Sequence, residues 1–277
     1  MTLKLEKYQE IYRPAIENLL RDDDFVRKDV MSCLDEFPEC AMMVTSDNDL
    51  VAIGVYTGIS IRTSFTLYVK PIRRNEGIGS FLLTSLEKEM SEKGVEEIVC
   101  DYEVSDSIRT FIHKKGYQSW FLSNYMIFKE NTKPTSQLDI STYNDSDYSE
   151  VQNLCSVAFH EMRLSVGLTS TLDTPSEEER SSFLEKAEDI FILRENQEII
   201  AAATVSRNEI DQIAVSVDKQ GMGYGKALLE YTLHKLRDRG FDQITLWVVE
   251  GNPAKNLYEK SGFKVDRLHE FIKKKLT

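Results

Sequence analysis

Four glycines, Gly77, Gly79, Gly94 and Gly116, recur 146 positions later as Gly223, Gly225, Gly240 and Gly262, in a chain of 277 residues that holds only 13 glycines. Apolar positions keep the same offset: Leu67 and Val69 match Ile213 and Val215, and Leu82 and Leu83 match Leu228 and Leu229. A period this long is the size of a domain, far above that of solenoid repeats. The chain is therefore expected to be a tandem duplication of one fold, each copy about 140 residues, a common domain size. The stretch KENTKPTSQ, residues 129–137, is polar, lacks periodicity and contains Pro134, as a linker does. The expected division is a first domain over 1–131, a linker over 132–136 and a second domain over 137–277.

Within each half the elements run in the same order. A short strand (TLKLEKY; QLDISTY) leads into one or two helices (YQEIYRPAIENLL; YSEVQNLCSVAF). Two strands follow (AMMVTS and LVAIGVYTG; DIFILRE and IIAAATVSR), separated by DND and NQ, polar breaks short enough for hairpins. Then come a strand, a glycine-rich turn, a strong helix, a β-branched strand (EEIVCDYE; QITLWVVE), a short helix and a last strand. Hairpins mixed with crossovers imply a mixed α/β sheet, not a fully parallel one. The helix after the second glycine turn carries Leu229, Leu233 and Leu236 as one apolar stripe. Lys235, Arg237 and Arg239 gather where the helix dipole favours cations, and Gly240 supplies a left-handed stop.

Charge narrows the partners. The net charge is −12, from 34 basic and 46 acidic residues, and neither half is basic. Nucleic acid is a poor partner on that ground; an acidic surface favours cationic substrates such as amines, or serves solubility alone. The longest apolar run, IIAAATV over 199–205, is far short of a membrane span, and MTLKLEKYQE lacks the apolar core of a secretory signal. Cys33, Cys40, Cys100 and Cys155 are scattered without a CxxC pair, which suits reduced thiols in a cytoplasmic protein and argues against zinc.

The stretch QGMGYGKALL, residues 220–229, follows the strand IDQIAVSV. A P-loop fails here, because Gln220 stands where its first glycine belongs and Ala227 follows Lys226. A dinucleotide fingerprint starting at Gly221 fails because its last glycine position is Lys226. What remains is Q-x-x-G-x-G from Gln220 to Gly225, matched by R-x-x-G-x-G from Arg74 to Gly79. The first turn of a helix leaves backbone N–H groups without partners, and glycines remove the Cβ atoms that would block an approaching anion. Such a turn is a pyrophosphate cradle, or else an ordinary tight turn; its recurrence in register favours the cradle.

IAVSVDKQGMGYGKALLEYTLHKLRDRG together with NPAKNLYEKSGF resembles the two signature motifs of the GNAT superfamily of N-acetyltransferases. LYVKPIRRNEGIGSFLLTSLEKEMSEKG and IRTFIHKKGY resemble the same motifs more weakly. The likeness covers the second half of each domain, and the tandem organisation is similar to that of mycothiol synthases, although nothing in the residues fixes that acceptor. The resemblance implies two tandem GNAT-like domains, each a mixed, mostly antiparallel sheet flanked by helices. It further implies acetyl-CoA as co-substrate, no metal, and direct attack of a primary amine, carried by a small molecule or a peptide, on the thioester; a monomer or homodimer is expected. A non-catalytic acyl-CoA-binding regulator is the alternative.

By the same resemblance the pyrophosphate is expected on the amides of Gly221, Met222, Gly223, Tyr224, Gly225 and Lys226, after Gln220. The pantetheine arm is expected along Ile213, Ala214 and Val215, with Asn252 nearby. Arg74, Gly77, Ile78 and Gly79 are the matching cofactor residues of the first domain. Tyr258 is the candidate acid for the departing thiolate. Its aligned position in the first domain is Ile112, and that of Asn252 is Asp106, so the first domain is expected to be degenerate and the second catalytic. Asp101 and Glu103 pull the other way, since their counterparts Trp247 and Val249 cannot act as bases. In the second domain Asp211 is the candidate base, with Glu209 beside it and Glu250 a weaker choice; the residue aligned with Asp211 is Phe65. His160 lacks a second histidine at position 164 for a metalloprotease helix, and Arg163 lies in a segment expected over the acceptor site, where it could meet an acidic group.

Overall fold

The computed structural model describes residues 2–130 and 138–276, so the expected linker at 132–136 lies outside the described residues. The chain forms two compact units: Met1–Trp120 with Glu270–Thr277, and Phe121–His269. The first unit holds β1 (Leu3–Lys7), α1 (Arg13–Leu19), α2 (Asp24–Glu36), β2 (Ala41–Ser46), β3 (Asp49–Tyr56), β4 (Arg62–Val69), α3 (Ile78–Glu92), β5 (Glu97–Glu103) and α4 (Asp106–Lys114). After β6 (Gln118–Phe128) the order repeats as β7 (Asp139–Thr142), α5 (Tyr148–Ser165), α6 (Glu177–Glu185), β8 (Ile190–Glu195), β9 (Glu198–Ser206), β10 (Glu209–Val215), α7 (Tyr224–Asp238), β11 (Ile244–Val249), α8 (Ala254–Lys260) and β12 (Lys264–Lys275).

Each sheet is mostly antiparallel. β1, β2, β3 and β4 pair antiparallel in sequence, and β4 pairs parallel with β5. β7, β8, β9 and β10 do the same, and β10 pairs parallel with β11. The β2–β3 hairpin turns on Asp47 and Asn48 and the β8–β9 hairpin on Asn196 and Gln197, all four at positive φ. Two successive left-handed residues match the right-handed twist of the strands they join. Helices cover both faces. In the second unit the α7 stripe of Leu229, Leu233 and Leu236 is buried with Val205, Ile210 and Leu246 on one face. Val151, Leu154 and Ala158 of α5 are buried with Ile192, Ala202 and Ala214 on the other. In the first unit Leu82, Leu86 and Met90 of α3 occupy the place of the α7 stripe.

The units depart from the expected division at 131 and 137 because the last strand of each half serves the other unit. β6 ends the first half by sequence, yet Ser123–Phe128 pair antiparallel with β11, from Ile244↔Phe128 to Val249↔Ser123. Met126 and Phe128 are buried in the α7-side core. Conversely, Ile272 of β12 is buried with Leu82 and Leu86 in the first unit. Leu276 N–H donates to Glu96 O at 2.8 Å and Lys274 Nζ reaches Glu87 at 2.9 Å. Glu270, only 2% exposed, accepts from Tyr102 Oη at 2.5 Å and from Arg109 Nε at 2.8 Å. Apolar periodicity cannot reveal such an exchange, because either strand would bury the same face in either sheet.

Removal of residues 270–277 takes away Ile272 and leaves Tyr102 and Arg109 without their shared carboxylate. Loss of a buried isoleucine alone costs about 2–5 kcal/mol. Hydrogen exchange on the truncated chain is expected to show lost protection in β4, β5 and α3 and retained protection in β8, β9 and β10; equal loss in both units would contradict the exchange. Burial pushes the Glu270 carboxyl up, but the hydrogen bonds from Tyr102 and Arg109 outweigh it and hold the pKa below the usual range. The stability this group contributes is present above the unfolded carboxylate pKa and is lost as pH falls through the lowered folded value. Acid titration of Glu270→Gln is therefore expected to begin from lower stability and to lose less than the parent.

Candidate active site

β10 and β11 pair only at Glu209↔Thr245 and Ile210↔Leu246. Beyond that point β10 keeps its partner on one side, through Gln212↔Thr204 to Val215↔Ala201, while no strand among the described residues is bonded to its other edge. The parting coincides with a bulge between Ile210 and Gln212. Side chains along a regular strand alternate, so residues three apart face opposite ways. Here Ile210 and Ile213 both pack into the α7-side core. The extra residue, Asp211, absorbs the difference, and Asp211 and Gln212 both line a cleft on the α5 side.

The first unit lacks this device. Its register runs from Ala52↔Val69 to Tyr56↔Phe65 without a shift, and Phe65 is buried among Ile112, Tyr117 and Ile272. Ser64 pairs with Val99, and Glu209 pairs with Thr245, the residue 146 positions after Val99. Phe65 is thus the structural counterpart of Ile210. Asp211 has no counterpart, which corrects the pairing of Asp211 with Phe65 expected from the constant offset.

The glycine turn sits at the end of β10. Gly221 and Gly223 have φ of +78° and +94°, and a Cβ at either would meet nothing within 4 Å. They are needed for backbone conformation. Gly225 answers to packing, since its Cβ would stand 3.3 Å from Val215 Cγ2 where α7 lies against β10. The first α7-type bond runs from Ala227 N–H to Gly223 O, and the amides of residues 221–226 make no backbone hydrogen bond among the described residues. The turn itself is braced. Gln220 Nε2 donates to Val215 O at 3.1 Å. Lys219 Nζ donates to Glu195 at 2.9 Å, and Tyr224 Oη donates to the other Glu195 oxygen. These bonds hold the Glu195 carboxyl below its usual pKa, the Tyr224 bond foremost. Gln220 thus acts on the turn through its side chain, while the open side presents backbone.

α8 packs against the start of α7: a Cβ on Gly225 would lie 3.7 Å from Leu257. The neighbouring Tyr258 is 8% exposed, meets the Phe263 ring edge-on at 5.9 Å and belongs to the α7-side core. Burial alone pushes its phenol up to about 12. Asn252 is spent in part on the helix, its Oδ1 accepting from Ala254 N–H at 2.9 Å. Glu250 is engaged by Asn124 at 2.5 Å and Lys255 at 2.8 Å, which together hold its pKa down and make it a poor base. Asp211 and Tyr258 lie on opposite sides of the sheet, on either side of the line along which β10 leaves β11.

In the first unit the turn keeps its form. Asn75 and Gly77 adopt φ of +66° and +84°, Arg74 Nε donates to Val69 O at 3.1 Å, and α3 begins at Ile78 with Gly79 against Val69. The position of Tyr258 is held by Ile112, buried in the core. The strand position after Asp101 carries Tyr102, whose hydroxyl is bound to Glu270. Among the described residues no group of three or more metal-ligating side chains occurs, and no helix is long and apolar enough to cross a membrane.

Residues 153–263 match the model of the acetyltransferase (GNAT) family, and the chain carries a domain of that family. Over 56 residues, 20% of the chain, it is 45% identical to a mycothiol acetyltransferase of Thermomonospora curvata, spanning 19% of that protein. Over 76 residues, 26% of the chain, it is 38% identical to a ribosomal protein bS18-alanine N-acetyltransferase of Haemophilus influenzae, spanning 51% of that protein. The matched part thus covers less than two thirds of either relative. A GCN5-related N-acetyltransferase from Sphaerobacter thermophilus superimposes with a TM-score of 0.81 at 18% identity, over 99% of this chain and 96% of that one. A tandem GNAT protein from the clavulanic acid biosynthesis pathway gives 0.69 at 12% identity, over 100% and 99%. These likenesses establish a GNAT fold.

The sequence reading missed Glu195 and its ties to Lys219 and Tyr224, because Glu195 ends a distant strand and only the fold brings it to the turn. Glu195→Gln and Tyr224→Phe are expected to loosen the turn, and calorimetry with acetyl-CoA is expected to show any binding at the turn weakened about three- to tenfold, the range of one net hydrogen bond. Unchanged affinity in both would remove the brace from the account of the site.

Proposed function

We propose that the second unit transfers an acetyl group from acetyl-CoA to a primary amine by direct attack on the thioester. The observation that carries this reading is the unbonded edge of β10 beside a helix start with six unbonded amides. The edge at Ile213–Val215 offers backbone groups to the amide-bearing arm of the cofactor, as an exposed sheet edge does to an added strand. The amides of Gly221, Met222, Gly223, Tyr224, Gly225 and Lys226, with the dipole of α7, suit a diphosphate. Bound acetyl-CoA supplies a thioester carbonyl already activated toward an amine. Both relatives are named as acetyltransferases, one of them an N-acetyltransferase, which supports the reaction class; their acceptors are not carried over.

The residues of the chain divide the remaining work. Tyr258 stays protonated at neutral pH and offers its hydroxyl to the sulfur as charge develops there. A phenol near 12 is a weaker acid than a thiol near 8.5, so it serves as a hydrogen-bond donor in the transition state more than as a complete proton shuttle. Asp211, at the bulge where the strands part, receives the proton of the incoming ammonium, directly or through water. The first unit keeps the turn formed by Arg74, Gly77, Ile78 and Gly79 but has Ile112 in place of the phenol and no bulge carboxylate. It is read as an acyl-CoA-binding or scaffolding unit without turnover.

Calorimetry with acetyl-CoA and thiol release with a panel of amines test the reading together. Tyr258→Phe is expected to lower kcat by about 10²-fold, within the range for acid catalysis, with little change in acetyl-CoA affinity. No descending limb from Tyr258 is expected in the pH–rate profile below about 12, so the rate should climb with pH as the acceptor loses its proton. Full activity in Tyr258→Phe together with loss of activity on disrupting Gly77 and Gly79 would move catalysis to the first unit.

A further inference from the structure

The cleft on the α5 side of β10 measures about 250 Å³ and is walled by α5, α6 and the β8–β10 strands. It lies wholly within the second unit, and Asp211 at the bulge opens onto it. Among the side chains in its lining, Gln152 and Arg163 make no hydrogen bond or ion pair among the described residues. Gln152 of α5 is 3% exposed, yet its carboxamide makes no hydrogen bond among the described residues. Its polar atoms are not sealed in the core, so they open onto the cleft, where a polar ligand can complete them. Arg163, at the other end of α5, is held over the Phe159 ring at 5.9 Å. Its guanidinium makes no ion pair or hydrogen bond among the described residues, in a chain where acidic residues outnumber basic ones by 46 to 34. A guanidinium is a planar two-pronged donor, matched to a carboxylate.

We propose that this cleft binds a small amine that also carries a carboxylate, an amino-acid-like acceptor, with Arg163 taking the carboxylate, Gln152 bonding the polar body and Asp211 facing the amine. The inference rests on the transfer reading for the amine's position, since acetyl transfer requires the amine at the bulge where β10 leaves β11. The class follows from the cleft. Its volume suits a molecule the size of an amino acid and not a folded protein surface. The half-buried cation in its wall is available to an anion, and the carboxylate of an amino acid presents two oxygens to a two-pronged donor. Asp173 and Lys186 also line the cleft and make no ion pair among the described residues, so both charges of a zwitterion find an opposite there. The signal in the sequence was Arg163 itself, alone in a polar segment; its stacking on Phe159 four residues earlier becomes visible only once α5 forms.

The test compares α-amino acids with their amides and with the corresponding decarboxylated amines. Acceptor binding is read by calorimetry on the full chain, and transfer by thiol release. The expected result is a preference of about 10- to 100-fold for the acids, the range of a hydrogen-bonded charge pair. Arg163→Gln is expected to bring the acid-to-amide ratio close to one, and Arg163→Lys, which keeps the charge without the fork, to leave it between the two. Gln152→Leu fills the same volume without polar atoms and is expected to raise KM for every acceptor more than it lowers kcat; melting curves confirm that it folds. Transfer to plain amines or peptide N-termini with equal efficiency, indifferent to Arg163, would overturn this inference and leave the transfer reading intact. Arg163-dependent binding of amino acids without any acetyl transfer would uphold the cleft and overturn the transfer reading.

Discussion

The parting of β10 from β11 is the feature on which the site depends. Two strands that stayed paired along their whole length would bury every backbone group and leave no edge for a ligand. Here the pairing lasts for two residue pairs, a bulge intervenes, and the strand continues with one edge unbonded toward a helix whose first amides are also unbonded. Both kinds of unbonded backbone are tolerable only where solvent or a ligand can reach them. The glycines at 221 and 223 give the chain the left-handed conformations that aim those amides outward, and the glycine at 225 lets α7 close onto Val215.

Duplication has kept this scaffold and changed its chemistry. Both units carry the left-handed turn, the tie from the residue three before the glycine pair to the end of the strand, and the helix set against that strand. They part where reaction would occur. The second unit has a buried phenol at 258 and an inserted carboxylate at 211; the first has Ile112 and Phe65, both buried in its core. Ile112 puts hydrocarbon where the second unit has the Tyr258 phenol, and the unshifted register around Phe65 leaves no extra residue to carry a carboxylate. The exchange of β6 and β12 is the other product of duplication, since two nearly equivalent sheets accept either terminal strand.

Much of this was legible in the residues. The fixed offset of four glycines gave two copies, DND and NQ gave the two hairpins, and the spacing around Gly223 and Gly225 located the turn. Three things were not legible. The strand exchange is invisible because nothing in the apolar pattern of β6 or β12 says which sheet the strand joins. The bulge is invisible because every residue that shows the offset of 146 lies after it, so Asp211 was matched to Phe65 although it has no counterpart. The bonds from Lys219 and Tyr224 to Glu195, and the cleft that Arg163 lines, depend on which elements meet in space. Local chemistry wrote the turn and the helix starts; long-range packing decided which side chains surround them.

The most direct test of the central claim follows the backbone amides of residues 221–226 by two-dimensional nuclear magnetic resonance during titration with acetyl-CoA. The account predicts saturable shifts of these amides together with those of Ile213–Val215, and smaller changes in α5 and α6. Saturable binding that leaves residues 221–226 unmoved would contradict it.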